Sequence, residues 1–175
     1  MNKEQIAEKL QTNHARFAQQ LLQLNDADFC YAAEGKWSAG QQLDHIVKAV
    51  APVNLAFGFP NFLLKWQFGS ANRPSKTYDQ LIEKYNRKLK EGGRASGRFI
   101  PAAVIINDRA KLIARLNKLV NQLVRKTKSQ SEEALDKYIL PHPLLGKLTL
   151  REMLYFTAYH VEHHRLLVEI GLENR

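Results

Sequence analysis

Apolar residues recur along this chain at steps of three and four in four long stretches. The first is Ile6, Leu10, Phe17, Leu21 and Leu24, with His14 in the same row, and it predicts a helix over 2–24. Asn2 and Gln5 stand where a reciprocal N-terminal cap needs them. The second is Leu43, Ile46, Val47, Val50, Asn54 and Phe57, predicting a helix over 38–57. Ser38 and Gln41 would cap it, with Trp37 placed to staple against Leu43 or its neighbours. Pro52 lies inside that run and should kink it or end its regular ladder. The third stripe holds Ile105, Leu112, Ile113, Leu116, Leu119, Val120, Leu123 and Val124, for a helix over 107–128. The last runs Leu150, Met153, Thr157, His160, His164, Leu167 and Gly171, for a helix over 149–171 capped by Thr149 and Glu152.

Strand signal is slight, so the expected fold is all-α, a four-helix bundle. Between the second and third helices lies a stretch, 58–100, that is aromatic and rich in turn residues. It predicts a short helix near Tyr78–Lys90, with Ser75 as a possible cap, then a glycine-rich loop from Gly92 to Arg98. That loop lacks the G-x-x-x-x-G-K-[ST] order of a phosphate cradle and reads as a surface loop. The stretch has too few apolar residues for its own core. It is therefore expected as a helical and loop insertion in one domain spanning 1–175.

Composition changes this picture in one respect. Of the net charge of +9, residues 65–128 hold 16 Lys and Arg against 4 Asp and Glu, while the segments on either side are slightly acidic. A basic face of that kind attracts anions, nucleic acid among them. No zinc-finger, homeodomain or RNA-binding pattern accompanies it, so nucleic acid ranks lowest as a partner and a solvated helix face is the expectation. Apolar runs are too short to span a membrane, no signal-peptide core opens the chain, and Cys30 is the lone cysteine. These features together predict a cytoplasmic protein without membrane partners.

The chemistry concentrates in the last helix. His160 and His164 sit one turn apart in the apolar seam, where buried ring nitrogens need partners. A pair at i and i+4 can hold one metal ion from one helix, with a third ligand from another. The run His160-Val161-Glu162-His163-His164 is neither H-E-x-x-H nor H-x-x-E-H, so a helix-borne glutamate base has no support. By spacing alone His45 falls off the Leu43–Val50 stripe, beside Ala49 and Ala56, and His14 has no local partner.

Two blocks resemble the DinB/YfiT-like superfamily of metal-binding four-helix bundles. One is Trp37-Ser38 followed by His45, eight residues after the tryptophan. The other is His142-Pro143 through Gly146, Leu148-Thr149-Leu150, and His160-x-x-x-His164-Arg165. The resemblance implies that His45, His160 and His164 are the ligands of a divalent ion (zinc, nickel, manganese or iron), with His163 pointing elsewhere. The glutamine that usually follows the last arginine by two positions is replaced here by Leu167. Relatives include thiol-dependent transferases and isomerases, so the resemblance implies a metal-dependent transferase that activates a low-molecular-weight thiol toward a small-molecule electrophile. Metal-dependent hydrolysis and a non-catalytic metal-sensing role are the alternatives. A homodimer is a possible assembly.

Overall fold

The computed structural model describes residues 1–173. Its helices are α1 (Lys3–Gln23), α2 (Asp26–Cys30), α3 (Ala39–Ala56), α4 (Asn61–Phe68), α5 (Tyr78–Lys90), α6 (Arg109–Ser129), α7 (Glu132–Lys137) and α8 (Leu150–Glu173). A two-stranded hairpin, β1 (Ile139–His142) and β2 (Gly146–Thr149), leads into α8. The four expected stripes became α1, α3, α6 and α8, the four longest helices, within a residue or two of the expected ends. They form the frame.

Side-chain bonds between the frame helices give their directions. Asn13 donates to the Ala158 carbonyl and Gln20 to that of Arg165, so α1 and α8 run the same way. His45 meets His160 and Gln42 bonds His164, so α3 and α8 are opposed, while Asn54 joins α3 to Gln122 and Lys126 of α6. Lys3 reaches the Lys128 carbonyl and Arg109 that of Leu24, so α1 and α6 are opposed. The helices therefore close a ring in the order α1, α6, α3, α8, around Leu10, Phe17, Leu43, Ile46, Leu116, Leu123 and Leu154.

The capping reads as expected at three starts. Asn2 with Gln5, Ser38 with Gln41, and Thr149 with Glu152 each exchange reciprocal bonds. At α5 the cap is Thr77 with Gln80, and Ser75 instead bonds Asp136 and Thr149. Pro52 does not end α3. The ladder loses one bond, to the carbonyl of Lys48, but the helix continues because Val53, Asn54 and Phe57 beyond it are buried. The hairpin was not expected. Its strands are four residues each, too short for a period, and its turn is set by Gly146 at φ 76°.

The 58–100 stretch is bound tightly to the frame. Leu64 of α4 and Leu81 and Tyr85 of α5 are buried in the common core. Arg73 forks onto both carboxylate oxygens of Glu152, at 2.6 and 2.8 Å, and the Lys76 amide donates to the same group. Glu152 is fully buried, and these bonds hold its carboxyl below the usual range against the opposing effect of burial. Among the described residues, no single helix is long and apolar enough to cross a membrane.

Candidate metal centre

The frame brings His45, His160 and His164 to one point. The Nε2 atom of His160 lies 3.2 Å from Nε2 of His45 and 3.0 Å from Nε2 of His164. All three side chains are buried, at 4–6% exposure. His45 is inside because α3, as a member of a ring, touches two neighbours. Its Leu43–Val50 row fills the core, while Gln42 and His45 turn to α8.

The outer ring nitrogens fix the tautomers. Nδ1 of His45 donates to the Phe99 carbonyl at 2.6 Å, and Nδ1 of His164 donates to Oε1 of Gln42. Each acceptor leaves the proton on Nδ1, so both Nε2 atoms present lone pairs inward. Both lone pairs face the single Nε2 of His160, which can donate at most one proton. One of the two close nitrogen contacts is therefore electron-rich on both sides unless a cation lies among them. Burial lowers the pKa of His45, and lowers those of His160 and His164 well below 6.5, with the neighbouring imidazoles adding to the effect. The triad is thus neutral at pH 7, the state in which imidazole binds metal.

The spacing also suits an ion. Three nitrogens at about 2.0–2.1 Å from one centre, separated by angles between octahedral and tetrahedral, lie roughly 2.8–3.4 Å apart. The two observed Nε2 separations, 3.0 and 3.2 Å, fall in that interval. The three histidines form a group able to hold a metal.

A profile describing the DinB superfamily matches residues 9–168, nearly the whole chain. The chain belongs to the DinB superfamily. No curated protein matches it.

Around this DinB-superfamily triad the walls are aromatic. The Trp37 indole lies 5.0 Å from the His45 ring and stacks on His164 at 6.2 Å. Phe156 stacks on His160 at 4.6 Å. Tyr85, from the 58–100 stretch, meets the edges of His160 and His163 at 6.1 and 5.7 Å. His142 packs on Phe156, and its Nδ1 accepts the amides of Leu144 and Leu145, which leaves its proton on Nε2. Burial, with a smaller effect from Lys84, lowers its pKa to about 4.

His163 lies half-buried beside Tyr85, outside the converging set. His14 is remote from the triad in its bonding: Nδ1 donates to the Leu10 carbonyl, Nε2 is buried without a partner, and burial lowers the pKa to about 4. Cys30 is exposed. Sequence reading missed Gln42, Tyr85 and the Phe99 carbonyl. Gln42 carried a signal, since it stands three residues before His45 and shares its face. A backbone carbonyl has no signature in sequence.

Proposed function

We propose that this protein binds one divalent metal ion through Nε2 of His45, His160 and His164, and is a transferase that joins a low-molecular-weight thiol to an electrophile. The supporting observation is the pair of inward lone pairs from His45 and His164 facing one nitrogen of His160. Such a buried set is unfavourable without a cation. When bound, a divalent ion would lower the pKa of a coordinated thiol enough to deprotonate it. In such a transfer the thiol sulfur would bond to carbon as the leaving group departs with its bonding pair, and the thiol proton would pass to solvent.

The chain's own residues serve this chemistry in separable ways. Gln42 and Phe99 hold two imidazoles in the metal-binding tautomer. Trp37, Tyr85 and Phe156 surround the rings with low-dielectric surface, which strengthens charge interactions inside. Exposed Cys30 is not part of the site.

The test begins with the metal content of the purified protein, then screens glutathione, bacillithiol and mycothiol against a chromogenic electrophile. Thiol-dependent turnover that disappears with a chelator and returns with metal supports the reading. Stoichiometric metal with no turnover across the screen favours a metal-binding role without this chemistry. Metal-dependent release of product from an ester or amide without thiol favours hydrolysis.

A further inference from the structure

Residues 100–104, which follow a 3-10 turn at Gly97–Phe99, run along one row of α3. Gly40, Asp44 and Lys48 are spaced four apart, so they share a face of the helix. Val104 lies against Gly40, where a Cβ atom would come within 3.0 Å of it. The Ala102 amide donates to Oδ2 of Asp44 at 2.9 Å. Nζ of Lys48 donates to the Ile100 carbonyl at 3.0 Å and pairs with Asp44 at 2.7 Å. Four helical residues rise about 6.0 Å and two extended residues about 6.7 Å, so the contacts 104 to 40, 102 to 44 and 100 to 48 stay nearly in step. Buried Pro101 stiffens the strap between its two polar pins. One residue past the last pin is Phe99, whose carbonyl accepts the Nδ1 proton of His45.

We propose that Asp44 is a positioning residue for the triad, acting through this strap. It fixes the strap on α3 at residue 102, and the fixed strap holds the Phe99 carbonyl where it sets the tautomer and rotation of His45. Before Phe99 the chain makes one 3-10 turn, Gly97–Phe99, preceded by the glycine-rich loop, and Asp44 and Lys48 supply side-chain bonds from α3 to the strap that follows it. Lys48 is the second pin, and Gly40 is the site where only a hydrogen leaves room for Val104. The coupling is reciprocal. Whatever factor strap docking adds to metal affinity, metal adds to strap docking.

This inference rests on the metal-binding reading, and the experiment separates the two. Metal-free parent, Asp44→Ala and Asp44→Asn are titrated with zinc in competition with a chelating dye, and their metal-free melting temperatures are recorded. Asp44→Ala should bind zinc about tenfold more weakly. Asp44→Asn, whose amide oxygen still accepts from Ala102, should bind within about twofold of parent. Zinc should slow tryptic cleavage after Arg94 and Arg98 in the parent and do so less in Asp44→Ala. A loss of fold stability alone would lower the melting temperatures without being reversed in affinity by asparagine. If Asp44→Ala binds zinc as tightly as parent, or if asparagine restores nothing, the positioning role is overturned while the metal site stands. If the parent takes up no zinc or other divalent ion, the metal reading falls and this inference with it.

Discussion

Gln42 presents its side-chain oxygen to Nδ1 of His164, three residues before His45 on the same helix. One turn of α3 therefore supplies both a ligand candidate and the group that orients another ligand candidate across the helix interface. Gln42→Leu keeps the bulk and removes the acceptor. It should weaken divalent-ion binding by about 10- to 100-fold, as outer partners of metal-bound histidines commonly do. Chelator competition measures it. Unchanged affinity would mean that His164 needs no such partner.

The ligand set itself is tested by four alanine variants. His160→Ala and His164→Ala should each abolish stoichiometric metal binding, and His163→Ala should retain it. His45→Ala is the decisive one, because its place in the set comes from a different helix. Metal content by elemental analysis after dialysis checks all four. A His45→Ala protein that holds metal as tightly as parent would remove His45 from the site.

His14 predicts an acid-sensitive fold. Its folded pKa is lowered to about 4 from an ordinary 6.5, by burial. Above pH 6.5 neither state binds the proton, and stability is full. As the pH falls from 6.5 toward 4 the unfolded chain binds a proton that the folded chain refuses, so stability is lost, and below 4 the loss levels off. The His14 share is on the order of 3 kcal/mol. In metal-free protein, the stability difference between parent and His14→Leu, from urea unfolding, should shift in favour of the variant across that window. A difference that does not change with pH would contradict this.

Glu152 should be among the most costly surface-to-core ties to remove. It is fully buried and accepts from Arg73, the Lys76 amide and the Thr149 amide. Glu152→Ala should cost about 3 kcal/mol, from the lost charged hydrogen bonds and the lost cap of α8. Chemical denaturation measures it. The same variant should expose the 69–77 segment to protease, because Arg73 and Lys76 are anchored there.

Much of the frame was legible because a long amphipathic helix writes its buried face into its own period. The stripes through Ile6, Leu43, Leu116 and Leu150 placed α1, α3, α6 and α8 without reference to one another, and capping pairs such as Ser38 with Gln41 marked their starts. His160 and His164 were legible for the same reason, being one turn apart on a seam already known to be buried. His45 entered through resemblance. A single-stripe reading assigns one buried face per helix, whereas α3 in the ring has two.

The tertiary structure decided what depends on distant parts of the chain. It decided that Tyr85, within a stretch read as an insertion, borders the triad. It decided that the hairpin of Leu140 and Leu148 forms, since pairing over four-residue strands follows from what packs on them and not from their own sequence. It decided that Phe99, 54 positions from His45, lends its carbonyl to that imidazole. Local periodicity records only which side of a segment is apolar. Hydrogen bonds between a side chain and a remote backbone group depend on where two segments meet, and that is fixed by the summed packing of all of them.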